Sequence, residues 1–584
     1  MATFKIPNNR GEIRQFNRGD LYGELWATKG IDLFSSPGKM KVSKKLRAIL
    51  DGGAGSGVPD DSRIEGTVQA ILIHTNVDQD ATNKYFWVIT DDSAYRCSLD
   101  NNPREFANWE SVFAFFGEVD NTTDSVVFNN NIVTSYGTDI SQHNGDSMYD
   151  ADWWTAATSG TALTDNRPHT MNVSRGGQET LHVCDGNLVR YYNTPAGHTT
   201  LTLSNTQVAN VLMNGVDTNW VGTYSTGSQN ALVYTYRVGD ELPANAYEID
   251  GLAVLSGDIY TNIPYILTDK GHIQRFNGAG FETVASFPFA DTGVTLSGQE
   301  TGLFNFGTTV SVHPKGMRVN GDRFWINIDT TIDTGATPAD ERSPAGVWEF
   351  DPNTFSLNHI YSLAEESTDY GAFRINSSGP ILPVRNEYIE LLVGAGGTFD
   401  GLYMDVDETP QAYFITPEYY GDSITQAWEK VVSIQNTLSD GEEVKIKYRY
   451  TRNPDFPLYI NSVTWLNSNT FTTTNSDASK ISVGDEIEIP DGYRAGYITT
   501  VTDVSASSST YSITVADDIG LAEETSNIKV ENWIEHPETI TSENLEYAVR
   551  GLGETNPRVQ IKVILTGHVT MNRFITKGNS KVEL

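Results

Sequence analysis

One pattern recurs through the first two thirds of this chain: an apolar strand, a tight polar turn, then a second strand closing on an aromatic or basic residue. LHVCDGNLVRYYN from Leu181 and YILTDKGHIQRFNG from Tyr265 align with Asp185-Gly186 and Lys270-Gly271 in the turns. Arg190 and Arg275 then precede Tyr191 and Phe276. YFWVITDDSAYRCS from Tyr85 is a third copy, with Asp91-Asp92 in the turn and Arg96 after Tyr95. Looser copies are VVFNNNIVTSYG from Val126, WVGTYSTGSQNALVYTY from Trp220, FWINIDT through AGVWEFDP from Phe324, and YIELLVGAGGTFDGLYMDVD from Tyr388. The starts fall roughly 40 to 65 residues apart, the period of four-stranded blades with variable insertions. One small twisted sheet cannot bury both its faces, whereas blades set around an axis cover one another. The repeat predicts an all-β fold with a β-propeller of about seven blades over residues 61–410. A large β-sandwich or a β-helix is the alternative.

Composition agrees with many short strands. The chain has 584 residues, so two to four domains are expected. Aromatics make up 11%, too many for a disordered chain, and Gly, Thr, Ser, Asn and Asp are plentiful, with little helical periodicity. The formal charge is −35. A surface this acidic repels phosphate backbones and argues against sequence-specific nucleic-acid binding. Halophilic adaptation is another reading of the same charge. Cys97 and Cys184 lie in separate apolar runs, which excludes a disulfide framework and predicts two buried thiols. The opening MATFKIPNNRGEIRQF lacks the apolar core of a secretion signal, and no run approaches the ~20 apolar residues that span a bilayer. Folding in a cytoplasm is the expectation.

From about residue 411 the rhythm changes. AYFITPEYYG, WEKVVSIQNTL and EEVKIKYRYT read as strands, with Asp440-Gly441 as a hairpin turn between the last two. PRVQIKVILTG from Pro557 alternates strongly and is expected to pair back onto VKIKYRY. Residues 411–463 plus 531–584 therefore predict an antiparallel β-sandwich. Between them, TWLNSNTFTTT, VGDEIEI, AGYITTVTDV and TYSITVADD predict a small inserted β-barrel over 464–530.

Residues 1–60 read as an extended basic arm. The first 48 residues carry ten basic side chains against Glu12, Asp20, Glu24 and Asp32. Phe16, Trp26 and Phe34, with Lys39, Lys41, Lys44, Lys45 and Arg47, are the candidate assembly contacts: aromatic anchors and cations facing an acidic neighbouring copy. An intramolecular strap is the equally weighted alternative.

Chemistry-bearing motifs are missing from the sequence. There is no G-x-S-x-G, H-E-x-x-H, P-loop or G-x-G-x-x-G, and no histidine pair has metal-ligand spacing. No carboxylate pair stands out as a glycosidase acid and nucleophile. No catalytic, cofactor-binding or metal residue is assigned. Asp405 with Asp407, and Asp329 with Asp333, read as solvated turns rather than calcium ligands, and Arg18-Gly19-Asp20 as a coincidental tripeptide. Trp153-Trp154 predicts a strand with one indole in the core and the other at an interface.

The leader GIDLFSSPGKMKVSKKL resembles the opening of virion proteins of tailed bacteriophages. FITPEYYGDSITQAWEKVVSI, EEVKIKYRY, VGDEIEIPDGYRAGYITTVTDV and RVQIKVILTG resemble the sandwich-with-insert region of phage tail proteins. The propeller matches such proteins only in rhythm. The resemblance implies a structural tail protein akin to the nozzle or hub of short-tailed phages. It further implies a symmetric, six-fold ring of copies, neighbouring tail or portal-adaptor proteins, a place along the genome-exit channel, and assembly in the host cytoplasm. No cofactor is implied. A receptor-binding or carbohydrate-binding propeller, an adhesin with or without glycan cleavage, is the alternative.

Overall fold

A computed structural model describes residues 2–6, 27–32, 40–43, 45–48, 64, 66–78, 81–91, 93–112, 122–145, 149–164, 169–175, 178–193, 197–287, 308–332, 346–362, 377–384, 387–396, 401–406, 412–416, 419–420, 426–435, 438, 441–449, 458–489, 498–507, 509–521, 525–536, 539–540, 546–550, 558–567 and 569–580. These are almost entirely antiparallel strands. The chain divides into two compact units. One comprises residues 1–47, 332–374 and 406–584; the other comprises 48–331 and 375–405. Residues 332–374, expected within 61–410, thus group with the first unit.

The second unit is a succession of four-stranded meanders. The first sheet is Val68–Asp78, Ala81–Thr90, Ala94–Ser98 and Trp109–Ser111; the second is Thr122–Phe128, Asn131–Tyr136, Asp139–His143 and Tyr149–Asp150. The third is Met171–Ser174, Thr180–Asp185, Leu188–Asn193 and Gly197–Thr202. The fourth is Gln207–Asn214, Asn219–Ser225, Leu232–Tyr236 and Asn245–Glu248; the fifth is Val254–Tyr260, Ile263–Thr268, His272–Phe276 and Phe281–Ser286. The hairpin Met317–Asn320 with Arg323–Ile332 follows, then Ser377–Pro383, Leu391–Gly396 and Gly401–Val406. The repeated hairpins of the sequence are mostly the second and third strands of these sheets.

The first strands pack side by side in chain order, Val68–Asp78 on Thr122–Phe128 and so on through Met317–Asn320 to Ser377–Pro383. Ser377–Pro383 then packs back on Val68–Asp78, and the succession closes on itself. This is the arrangement of a β-propeller. Apolar residues fill the spaces between consecutive sheets from the first to the fifth, and the seam between first and last. Phe128, Ile140, Leu181 and Val183 lie between the second and third; Val68, Phe86, Leu392 and Met404 lie at the seam between first and last. That seam needs glycine: a Cβ on Gly394 would stand 2.7 Å from the Val68 side chain. Cys97 and Cys184 are buried, unpaired thiols, in keeping with their apolar runs.

In the first, third and fifth sheets, the turn after the second strand carries a shared device. Asp91, Asp185 and Asp269 each accept a backbone N–H from the connector that leads into their own sheet: from Thr67 at 2.8 Å, Thr164 at 2.9 Å and Leu252 at 2.9 Å. The repeated arginines differ. Arg96 and Arg275 stand opposite Glu110 and Glu282 on the fourth strand and pair with them, whereas Arg190 turns back to Asp185.

Trp153 and Trp154 contradict expectation. They begin a short helix, Trp153–Ala157, rather than lying on a strand. Both pack into the cluster between second and third sheets, Trp154 fully and Trp153 in part. An alternating pattern is what a strand needs, and DADWWTAA lacks it.

In the first unit, two antiparallel sheets share one core. One sheet runs in the order Ile31–Asp32, Met40–Val42, Thr570–Ser580, Gln426–Gln435, Glu546–Arg550, with Ala2–Ile6 also on Thr570–Ser580. The other runs Ala27–Lys29, Ala412–Ile415, Arg558–Thr566, Glu443–Arg449, Ile534–Glu535. Arg558–Thr566 pairs with Glu443–Arg449 as its alternation predicted, Val444 opposite Leu565. The hairpin expected at Asp440-Gly441 does not form. Gln426–Gln435 and Glu443–Arg449 belong to different sheets, and the chain crosses between them there, because each strand finds its partners among later strands. Ile31, Met40, Phe414, Val444, Ile446, Val563, Leu565 and Met571 make the shared core.

A closed six-stranded barrel, Leu458–Asn467, Thr470–Thr473, Thr510–Val515, Ile498–Ser507, Glu486–Glu488 and Thr525–Glu531, lies inside this unit's sequence. It begins earlier than the expected residue 464. Trp465, Phe471, Ile487, Ile513 and Val530 fill it.

Candidate functional site

The polar groups that stand out in this protein are buried charges placed where elements meet. In the second unit, the segment His313–Gly316 leads into the inner strand Met317–Asn320, whose neighbours in the ring are Val254–Tyr260 and Ser377–Pro383. The described partners of the Lys315 ammonium lie on neither neighbour. It reaches instead to Thr122–Phe128, donating to Asp124 Oδ1 at 2.5 Å and to the Ser125 carbonyl at 3.1 Å. The side chain therefore crosses the middle of the ring. Asp124, 1% exposed, also accepts N–H bonds from Ser125 at 2.7 Å and Met171 at 2.6 Å. Ser256 Oγ donates to the Pro314 carbonyl and accepts from Met317 N–H, while Ile381 N–H donates to the Lys315 carbonyl. Inner strands from five sheets thus meet around one ion pair. Burial pushes the Asp124 carboxyl above its ordinary range, with the Lys315 ammonium and the backbone donors pulling it down. Burial also lowers the Lys315 ammonium, opposed by Asp124. Neighbouring His313 is pushed down to about 3, by burial first and then by Lys315 and Arg318.

A second cluster joins the barrel to one sheet of the first unit. On that sheet, Lys447, Arg449, Gln560 and Lys562 alternate with core residues and point away from the shared core; all are buried. Barrel strands present Glu486, Glu488, Lys529 and Glu531. Lys447 Nζ lies 2.7 Å from Glu486 Oε2, and Lys562 pairs with Glu486 Oε1. Lys529 lies 3.4 Å from Glu488 and 3.2 Å from Glu531, and Arg449 lies 3.5 Å from Glu531. Arg449 also donates twice to Gln560 Oε1 and stacks 4.1 Å from Trp533, while Lys562 sits 4.0 Å from the Tyr413 ring centre. With Glu535, 3.4 Å from Lys447, four cations face four carboxylates. Opposite charges this close are neutralised by one another, and the cluster works as a joint.

A third arrangement has the spacing of a nucleophile and base. Ser174 Oγ and His182 Nε2 are 2.9 Å apart, and His182 Nδ1 is 2.9 Å from Tyr236 Oη. The group behind the imidazole is a phenol rather than a carboxylate, and burial pushes His182 down to about 3. An imidazole so reluctant to take a proton is a poor base. The relay ties the third sheet to the fourth.

Of the candidate assembly contacts, Phe16, Trp26, Phe34, Lys39 and Lys44 lie outside the described residues. Lys41 is half-buried on Met40–Val42, opposite Asp32 on one side and Thr570 on the other. Lys45 and Arg47 lie on the strand Lys45–Ala48. The described parts of the leader are therefore sheet strands, and Ile31 and Met40 are core residues, which corrects the picture of residues 1–60 as an arm outside the fold. The physical reason is apolar: Ile31, Met40 and Leu46 are buried in their own chain. Of the proposed turn carboxylates, Asp333 and Asp407 lie outside the described residues, as does Arg18-Gly19-Asp20. Among the described residues, no group of three or more His, Cys, Asp or Glu is placed to hold a metal ion, and no helix is long and apolar enough to cross a membrane.

Neither Lys315 nor the barrel cluster was singled out from sequence. Alternating charge in KIKYR, VQIK, DEIEI and IKVE reads as a solvent-facing side. The usable signal was complementarity: cations dominate the sheet strands and glutamates the inserted ones.

The class these observations define is an all-β protein with a propeller and a separate barrel. No protein-family model matches the chain, and no curated protein matches it. Similar solved structures include the RRP9 WD40 repeats, 11% identical over 62% of this chain and 99% of that one, with a TM-score of 0.38. The computationally designed Ika8 protein is 10% identical over 62% of this chain and 99% of that one, at 0.34. BBS1N, solved in complex with ARL6DN, is 10% identical over 62% and 99%, at 0.33. Likeness at this level carries no functional argument, and the fold description stands on the strand pairing.

Proposed function

We propose that this chain is a structural component of a tailed-phage virion, a nozzle- or hub-type tail protein that works by assembly rather than catalysis. Its parts are a seven-bladed propeller and a β-sandwich with the inserted barrel. The closed succession of first strands supports seven blades, and the core shared by two sheets supports a sandwich. The phage assignment rests on the sequence resemblance of the leader and the C-terminal motifs. The observation that carries a load-transmitting role is the placement of buried charge. Lys315–Asp124 spans the ring, and four cations with four carboxylates lock barrel to sheet, so the distinctive chemistry is spent on rigidity. With its middle crossed by Lys315, the propeller is a solid wall element, and any conduit is formed between copies. A net charge of −35 suits such a wall, since like charge keeps nucleic acid from adhering. The neighbours expected are further copies in a six-fold ring and portal-adaptor or other tail proteins.

The test is a mass-spectrometric inventory of purified virions, with sedimentation of the isolated chain. A stoichiometric virion component that forms a closed ring is the expected result. Absence from virions, with binding to a glycan by the single chain, would replace this reading with the adhesin one.

A further inference from the structure

The seam between the third and fourth sheets holds polar groups beyond those of the Ser174–His182–Tyr236 relay. Asn214 stands opposite Asn219, and Asn219 opposite Tyr236, so these three side chains share the face of the fourth sheet that meets His182. On the third sheet, Asn172 stands opposite His182, and its Nδ2 donates to the Leu212 carbonyl at 2.8 Å. Two residues further along these first strands lie Ser174 and Asn214, where both strands end. Ser174 and Asn214 are half-buried, whereas His182 and Tyr236 are fully buried.

The Asn214 amide is the odd member of the group. Its Nδ2 and Oδ1 are both buried, and neither has a hydrogen-bond partner. A buried amide left unpaired is destabilising, so the fold itself has no use for it there. Turning it out to solvent costs no hydrogen bond, because it has none to lose. It then presents a donor and an acceptor side by side, next to the Ser174 hydroxyl.

The chemistry of the group selects its ligand. Ser174, His182, Asn214, Asn219 and Tyr236 are all uncharged, the imidazole because burial holds it down to about 3. In the loop after Ser174, Arg175 and Glu179 pair with each other at 3.8 Å. A charged ligand therefore finds no spare counter-charge to offset its lost hydration, and an apolar one leaves the amide unpaired. Hydroxyl groups both donate and accept, and so match serine and amide alike. Val216, in the turn after Asn214, is 73% exposed and offers apolar surface beside them. Adjacent hydroxyls on a ring with C–H faces are the chemistry of a neutral sugar.

We propose that Ser174 and Asn214, backed by His182, Asn219 and Tyr236, form a binding site for a neutral saccharide ring at the seam of the third and fourth sheets. The site binds without cleaving, since its imidazole is a poor base and none of its five side chains is a carboxylate.

Saturation-transfer NMR on the full-length chain tests this with glucose, galactose, mannose and N-acetylglucosamine as probes and glucuronate as the charged control. Transfer is expected to at least one neutral sugar and not to glucuronate. N214A and S174A should each weaken that binding about tenfold or more, the worth of one hydrogen bond. N214A should keep the wild-type urea midpoint, because the Asn214 amide has no hydrogen-bond partner within the chain. N214D, the same shape with a charge, should also lose the sugar. No transfer to any of the four sugars, transfer to glucuronate as strong as to them, or binding unchanged in both N214A and S174A overturns the proposal. So does a destabilised N214A, which would make the amide part of the fold. The virion reading is separable from this one. A stoichiometric virion component that binds no sugar removes the site alone, and a sugar-binding chain absent from virions removes the phage assignment alone.

Discussion

Lys315 Nζ and Asp124 Oδ1 meet at 2.5 Å although 191 residues separate them, and their strands are not neighbours in the ring. Each is the other's only opposite charge in the hydrogen-bonded set described above. Removing one partner leaves a buried charge uncompensated, a loss of roughly 3–5 kcal/mol. K315M and D124N should each destabilise by about that amount, and the K315M/D124L double variant should recover much of it. Urea denaturation of all four proteins closes the cycle; additive single effects would show that the pair does not couple.

Acid should weaken the second unit from about pH 6.5 downward through two buried histidines. His182 and His313 are both pushed down to about 3 by burial, against about 6.5 when unfolded. The native state therefore binds fewer protons than the unfolded one across that interval. Stability is complete above about pH 6.5 and declines as pH falls toward 3, by up to about 1.4 kcal/mol per pH unit for each histidine. Denaturation midpoints measured from pH 7 to 4 should fall accordingly, and H182Q should flatten the slope by its share.

The barrel joint should have its own pH window. Burial alone would raise Glu486, but Lys447 and Lys562 outweigh it and hold the carboxyl below its ordinary range. That contribution is present above about pH 4.3 and is lost as pH falls through the depressed value. Burial alone would lower Lys529, but Glu488 and Glu531 raise it well above its ordinary value. Its contribution is present below about pH 10.4 and is lost as pH rises beyond. Limited proteolysis around residues 450–457 and 532–545 should accelerate outside that window. E486Q, which leaves two buried ammoniums short of a counter-charge, should accelerate it at neutral pH.

The turn aspartates should behave as independent clamps. Asp91, Asp185 and Asp269 hold equivalent connectors in three different sheets. Alanine at each should cost about 1–3 kcal/mol, most at Asp185, which also pairs with buried Arg190. The three effects should add, since no partner is shared. A triple variant measured by urea denaturation checks both statements.

Truncation separates the two parts of the leader. Removing residues 1–43 takes Ile31 and Met40 out of the shared core and should abolish the thermal transition of the first unit, leaving that of the second. Survival of both transitions would show that the core closes without these strands.

Much of this fold was readable because repetition and alternation are local signals. The hairpins at Tyr85, Leu181 and Tyr265 announced their sheets, and QIKVIL found VKIKY through matching alternation. Other features were hidden because they depend on where a side chain ends rather than where it begins. Lys315 follows a proline in an unremarkable turn, and nothing near it in sequence names Asp124. The glutamates of the barrel look solvated until a sheet of lysines covers them. Trp153-Trp154 misled because two large apolar residues suggest a strand even when their neighbours do not alternate.

The order in which the chain is made gives the pairing of Met40–Val42 and Ala2–Ile6 with Thr570–Ser580 a further meaning. Ala2–Ile6, the first described strand, and Met40–Val42 take as partner the last one, Thr570–Ser580. Residues 48–331 and 375–405 can reach their native contacts while the ribosome is still extending the chain. The first unit must wait with its leader exposed until Thr570–Ser580 has emerged. Completion of the sheet is then a post-translational event, since its last strand ends four residues before Leu584.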